Sequence, residues 1–242
     1  MTISLSGKRV LVTGATGAIG GAIAQAICES DGQVYASYFR DEEGARRLES
    51  RCARVFQADL TRRSEARALV LKVLQEAGSL DALVYTAGNA RDHTLGKMTD
   101  EEWDSVLKLH LEGLAFCAQA ILPSMRERKS GKLVAMGSLS GVIGRLGSAN
   151  YAAAKAGVVG FMKSVAKEAG RFGVSANVIL PGFIDSKMTR AAAPEAWDRA
   201  KADSALGTIS SAGTAASFTV WLLSDMCQGV TGQVFHLDSR VV

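Results

Sequence analysis

Proline, histidine and cysteine are all scarce in this chain of 242 residues, which holds three, three and four of them. Cys28, Cys52, Cys117 and Cys227 form no C-x-x-C spacing. With so few histidines to complete a ligand set, no metal site is expected. Scattered thiols in a chain of this size fit reduced, buried side chains in a cytosolic setting. Charge of one sign is also sparse: the formal net charge is +4. No basic tract is dense enough for nucleic acid. The densest, Arg126-Glu127-Arg128-Lys129, reads either as a solvated helix end or as a patch for an acidic partner. The opening MTISLSGKRV lacks the apolar core of a signal peptide. No run is expected to be long enough to span a bilayer. Together these place the chain in the cytoplasm, away from membranes.

What is present fits one α/β domain over residues 1–242. Hydrophobic residues make up 48% and charged residues 21%, a globular balance. Glycine and alanine are plentiful, which permits close helix–sheet packing. Short apolar runs at Val10–Val12, Val34–Ser37, Val55–Gln57, Leu83–Tyr85, Leu133–Met136, Val178–Leu180 and Val234–Leu237 read as strands. Between them, 19–30, 62–77, 101–127, 150–171 and 212–224 carry helical periodicity. Apolar strands alternating with helices predict a doubly wound parallel sheet of about seven strands with helices on both faces. Thr99 and Glu102 have capping-box spacing. The polar, alanine-rich stretch 186–211 lies between two strands, where an insertion often covers a ligand.

Two constellations carry chemistry. In VTGATGAIGG, an apolar strand leads through Gly14, Gly17 and Gly20 into a helix. Such a loop directs free N–H groups and a positive dipole end at a diphosphate, although the spacing is not G-x-G-x-x-G. The second is Gly137-Ser138 with Tyr151-Ala152-Ala153-Ala154-Lys155. Tyr151 and Lys155 share one helix face. A neighbouring ammonium is expected to lower the phenol's pKa and suit it to proton transfer with a carbonyl oxygen. Ser138, at a strand end, could orient the same oxygen.

With TGATGAIG, ADL at Asp59, TAG at 86–88, GS, YAAAKAG, NVILPGFIDSKMT and GVTGQVFHLD in order, the chain resembles the short-chain dehydrogenase/reductase family, most of all its 3-oxoacyl-[acyl-carrier-protein] reductase branch. The resemblance implies a Rossmann-type domain that reduces a 3-oxoacyl thioester, linked to carrier protein or coenzyme A, to the 3-hydroxyacyl thioester. It implies Tyr151 as general acid, with Lys155 tuning it and holding the nicotinamide ribose, and Ser138 on the substrate oxygen. The cofactor would lie on Gly14, Thr16, Gly17, Ala18, Ile19 and Gly20, with Leu60 at adenine, Thr86, Ala87 and Gly88 at the sheet edge, and Pro181, Gly182 and Ile184 under the nicotinamide. Asp59 reads either as an adenine contact or as a helix cap. The second strand ends Ser37-Tyr38-Phe39-Arg40 with no carboxylate to repel a 2′-phosphate. Arg40 could pair with that phosphate, which points to NADPH, unless Asp41-Glu42-Glu43 neutralise it.

The chain departs from the family at several points. Ala18 stands where glycine is usual, so Gly17 is expected to supply the loop's conformational freedom. Thr86 replaces an asparagine, and Ser239-Arg240 replaces a glycine pair. His110 stands where asparagine holds a water linked to the catalytic lysine. It either holds that water through a ring nitrogen, with its protonation mattering near neutral pH, or interrupts the relay. Lys129 and Arg171 fall where the branch places its carrier-binding basic residues, with Arg126 and Arg128 adding charge and Phe172 standing where a base is usual. They read equally as solvated helix ends. A homotetramer through helices 101–127 and 150–171 is implied. The competing readings are a short-chain alcohol or sugar dehydrogenase, and an impaired paralogue serving in a mixed oligomer.

Overall fold

The computed structural model describes residues 3–190 and 194–240. Seven parallel strands form one sheet in the order β3-β2-β1-β4-β5-β6-β7. They are β1 (Arg9–Thr13), β2 (Gln33–Tyr38), β3 (Arg54–Gln57), β4 (Ala82–Tyr85), β5 (Gly131–Met136), β6 (Val174–Leu180) and β7 (Val234–His236). All seven expected strands are present. The helices are α1 (Ala18–Glu29), α2 (Glu42–Glu49), α3 (Arg63–Ala77), α4 (Asp100–Leu107), α5 (Gly113–Glu127), α6 (Ser140–Ile143), α7 (Ala149–Ala169), α8 (Lys187–Arg190), α9 (Pro194–Ala202) and α10 (Ala212–Leu223).

The strands are apolar throughout because both faces of the sheet are covered. Leu11, Leu83, Leu133 and Val178 point into a core with α3, α5 and α7. Their neighbours Val10, Val12, Val84, Val134 and Ile179 point into a second core with α1 and α10. The strand order reverses between β1 and β4, so the carboxyl ends of β1, β4, β5 and β6 open on a crevice at the switch point.

Four short helices, α2, α6, α8 and α9, were not among the expected ones. In EEGARRLE only Gly44 and Ala45 are buried, which leaves no broad apolar stripe to read. Asp41 makes the helix start there by accepting the Gly44 N–H at 2.9 Å. The capping box forms as expected: Thr99 Oγ1 accepts from the Glu102 N–H, and the Glu102 carboxylate accepts from the Thr99 N–H. The helix expected over 101–127 is present as one run, Asp100–Glu127, with a turn of π-helix over Lys108–Glu112 between α4 and α5. Contrary to expectation, the run Asp100–Glu127 is long and apolar enough to cross a membrane by length and composition. Val106, Leu114, Cys117, Ala118, Ile121 and Met125 are fully buried within the protein. That burial accounts for the run's apolar composition.

Candidate active site

The glycine loop follows β1. Gly14 has φ +63°, and a Cβ there would stand 2.8 Å from the Ala87 Cα, so position 14 excludes a side chain on both conformational and steric grounds. A Cβ on Gly20 would stand 2.5 Å from Thr86 Oγ1. The Thr86 hydroxyl itself donates to the Thr13 carbonyl at 2.5 Å. The Ala15 N–H reaches the Ser37 carbonyl at 2.9 Å. These contacts clamp the loop between β1, β2 and β4. Gly17 is the cap residue of α1 at φ −76°, ψ 163°, backbone that any residue adopts. The expectation that Gly17 supplies special freedom is therefore wrong; the strained conformation belongs to Gly14. No side chain caps α1, and no acidic residue lies in its first turn. An uncapped positive helix end at the sheet's switch point fits a diphosphate group. Thr16, Gly17, Ala18 and Ile19 surround that end, and a Cβ on Gly44 would meet Thr16 at 3.0 Å.

Ser138, Tyr151, Lys155 and His110 come together beyond the ends of β4 and β5. Tyr151 and Lys155 lie one turn apart on α7, with the Lys155 Nζ 5.6 Å from the phenol ring centroid. Lys155 is 6% exposed, and its Nζ donates to the Met136 carbonyl at 2.6 Å. Desolvation lowers its pKa from 10.5 to about 7. The Tyr151 pKa is raised by burial, opposed by a hydrogen bond with Ser138. The expected lowering by the lysine is thus reversed in this structure. Taking both groups out of water penalises the phenolate and the ammonium alike. The groups that assist the phenolate are Ser138 first and the Arg145 charge second; Ser138 Oγ also accepts the Ser140 N–H at 3.2 Å.

His110 sits in the π turn and is 2% exposed. Its ring meets Tyr151 edge-on, with centroids 5.1 Å apart at 85°. Nε2 lies 2.7 Å from the Asn89 carbonyl and 3.1 Å from the Asn89 N–H. The shorter contact assigns the proton to Nε2, which donates to the carbonyl. Nδ1 is then an acceptor, and it is buried without a partner among the described residues. Desolvation first, and the Lys155 charge second, hold the His110 pKa well below 6.5. The imidazole therefore stays neutral near neutral pH, and the expectation that it titrates there does not hold.

At the far end of the crevice Ser37 is 1% exposed, while Arg40 is exposed and stacks 4.6 Å from the Phe39 centroid. Asp41 caps α2, and Glu43 pairs with Arg47 at 2.6 Å. Among the described residues no ion pair neutralises Arg40. Asp59 accepts from the Thr61 N–H and hydroxyl at 3.0 and 2.7 Å, so it braces a turn; the cap residue of α3 is Arg62. Leu60 is buried. On the opposite side, Pro181 and Ile184 are buried. Gly182 has φ +83°, and a Cβ there would stand 2.6 Å from Ser210 Oγ and 3.0 Å from Asp238.

The family model described as short chain dehydrogenase matches residues 8–197. This chain belongs to the short-chain dehydrogenase family. The 3-oxoacyl-[acyl-carrier-protein] reductase FabG of Staphylococcus aureus (strain Mu50) is 35% identical over 237 residues, covering 96% of each chain. The reductase of the same name from Salmonella typhimurium (strain LT2) is 33% identical over 239 residues, covering 98% of each. The crystal structure of gox2181 superposes with a TM-score of 0.92 at 29% identity, covering 98% of this chain and 96% of that one. The protein is a short-chain dehydrogenase oxidoreductase, of a family that uses a nicotinamide cofactor.

In this short-chain dehydrogenase several site residues escaped the sequence reading. Asn150 is fully buried. Its amide donates to the Arg91 and Glu102 carbonyls at 2.9 and 3.1 Å, and its oxygen accepts the Tyr151 N–H at 2.7 Å. It thereby fixes the start of α7 and the height of Tyr151. Asp92 receives the Ser148 hydroxyl at 2.9 Å and Arg145 at 2.5 Å. Asn89 Oδ1 is buried without a partner among the described residues. Nothing in the spacing of these residues marks them, because Asn150 and Asp92 find partners in segments about 50 to 60 positions away. The Ser239-Arg240 departure also finds a place: Arg240 pairs with Asp238, and Ser239 Oγ lies 2.5 Å from Ser204 Oγ.

Proposed function

We propose that this short-chain dehydrogenase is an NADPH-dependent 3-oxoacyl-thioester reductase. The observation that carries the reading is the Ser138–Tyr151–Lys155 cluster at the carboxyl edge of the switch point. It is supported by relatives named 3-oxoacyl-[acyl-carrier-protein] reductase over nearly the whole chain. The bound nicotinamide would supply hydride to the 3-oxo carbon. Ser138 would hold the carbonyl oxygen, and the Tyr151 phenol, kept protonated by burial, would give its proton to that oxygen. The proton would be replaced through the buried side of the site, where Lys155 carries an exchangeable proton near neutral pH and His110 Nδ1 offers an acceptor for a linking water. Segment 186–211 would act as the lid. Trp197 of α9 already stands edge-on to Phe183, centroids 5.0 Å apart; its residues 191–193 lie outside the described residues.

The NADPH preference rests on Arg40, held on Phe39 while Asp41 caps α2 and Glu43 pairs with Arg47. Arg40→Ala is expected to raise KM for NADPH about tenfold and to leave KM for NADH unchanged, because only the former carries the 2′-phosphate. Equal effects on both would remove the guanidinium from cofactor choice.

Carrier recognition has structural support at the ends of α5 and α7. Arg126 and Arg171 stack on Phe172 at 4.2 and 4.8 Å from its centroid. Phe172, anomalous in the sequence, thus spreads two guanidinium groups over one surface beside exposed Lys129. Arg128 does not add to that charge, since it pairs with Asp81 at 3.0 Å. Arg171→Glu is expected to raise KM for a carrier-linked substrate about tenfold while sparing the coenzyme A thioester.

The deciding assay offers NADPH with acetoacetyl thioesters on coenzyme A and on acyl carrier protein, and follows nicotinamide absorbance. Oxidation of NADPH that depends on thioester is the expected result. Nucleotide binding without turnover on any carbonyl would favour the impaired-subunit reading, which the buried, unpartnered His110 Nδ1 motivates.

A further inference from the structure

The last residue of β4, Tyr85, is 3% exposed and lies between the sheet and the π turn. Its hydroxyl donates to the Leu109 carbonyl at 2.6 Å. In a regular α-helix that carbonyl would receive the Gly113 N–H, but this N–H is spent on Lys108. The π turn therefore breaks a backbone pairing, and the tyrosine satisfies the carbonyl that results. Gly113 is the counterpart of this arrangement. A Cβ there would collide with the Tyr85 hydroxyl and come within 2.7 Å of the Leu60 carbonyl. One residue along from Leu109 is His110, which is held from three sides. Its ring lies on Gly88, where a Cβ would meet the imidazole. Its Nε2 is on the Asn89 peptide and its edge is against Tyr151.

We propose that Tyr85 is a positioning residue for the reaction: by holding the Leu109 carbonyl it fixes the π turn and so sets the placement of His110 against Tyr151. This rests on the reading of Tyr151 as proton donor. Tyr85 touches no reacting atom and acts only through His110. Burial raises the Tyr85 pKa well above 10, so the hydroxyl remains a donor across the working pH range. Tyr85, Gly113 and His110 form one unit. Each is replaceable only with the others, because the hydroxyl needs the space that glycine leaves and the imidazole needs the turn that the hydroxyl holds.

The test is a double-mutant cycle of Tyr85→Phe and His110→Asn, read as kcat against pH at saturating nucleotide. Tyr85→Phe is expected to lower kcat about tenfold and shift the pH profile, with KM for nucleotide unchanged; in the His110→Asn background it is expected to change kcat less than about twofold. Multiplicative losses, or an unshifted profile, would overturn the proposal. A readout that needs no turnover is kept alongside, using protein with isotope-labelled histidine. Tyr85→Phe is expected to move the His110 ring resonances and leave those of His93 and His236 in place. Unmoved His110 signals would overturn the proposal even if the protein proved inactive. Gly113→Ala, which presses on the same hydroxyl from the helix side, is expected to reproduce both effects.

Discussion

Tyr151→Phe is expected to lower kcat by about 10³-fold, within the 10²–10⁴-fold range for removal of a positioned proton donor, while nucleotide affinity stays within about twofold. The substitution removes one oxygen. The ring remains seated against His110, and the Tyr151 N–H keeps its bond to Asn150, so the start of α7 is undisturbed. The pKa direction sharpens the expectation. Burial raises the Tyr151 pKa, so the phenol is the protonated form at neutral pH, as an acid for ketone reduction requires. In the opposite direction, alcohol oxidation, the phenol must first lose its proton. That direction is therefore expected to gain speed with rising pH, whereas reduction is expected to hold or fall. Stopped-flow absorbance at the nicotinamide band, with binding followed separately by fluorescence, checks both statements. Turnover surviving in the phenylalanine variant would move the acid elsewhere.

Lys155→Met is expected to separate activity from stability. The ammonium is buried, its hydrogen bond among the described residues goes to the Met136 carbonyl, and its pKa falls from 10.5 to about 7. The sign follows from linkage. With the folded pKa below the unfolded one, the unfolded chain binds more protons between the two values. The lysine's destabilising effect is full below pH about 7 and is relieved as pH rises toward 10.5. Each pKa unit corresponds to about 1.4 kcal/mol, whereas an orphaned Met136 carbonyl costs about 1–3 kcal/mol. Desolvation therefore wins on the acid side. The variant is expected to melt several degrees above the wild type near pH 6, with the gain shrinking toward pH 10, and to lose about 10²-fold or more in kcat. Differential scanning calorimetry across pH, paired with turnover, measures this. A variant less stable than the wild type at low pH would show that Lys155 is paid for by contacts other than the Met136 bond.

Val10-Leu11-Val12 and Leu133-Val134-Ala135-Met136 read as strands because both faces of the sheet are buried and every position is apolar. Thr99 and Glu102 read as a helix start because the capping box is a local hydrogen-bond exchange. Ser138, Tyr151 and Lys155 could be grouped because two lie one helical turn apart and the third ends a strand. By contrast α2 was missed because its start depends on Asp41 and its buried face is two small residues. The π turn was not legible because the contact that satisfies its freed carbonyl comes from far away in the chain: the Tyr85 hydroxyl on Leu109 belongs to a strand 24 positions earlier. Arg128 could not be separated from Arg126 in the sequence; only the nearness of Asp81 and Phe172 assigns them different work.

The sequence by itself determined the parallel sheet, the glycine loop after β1, and the grouping of Ser138, Tyr151 and Lys155. Each of those depends on residue type at short spacing, which a linear pattern preserves. The tertiary structure decided the electrostatic state of that site and the position of strain in the loop. Desolvation, not the lysine charge, sets the Tyr151 pKa; His110 is neutral with one nitrogen unpartnered; and Gly14, not Gly17, carries the left-handed backbone. Those outcomes arise from burial and from contacts between segments far apart in the chain, and neither exists until the sheet has brought its carboxyl ends together.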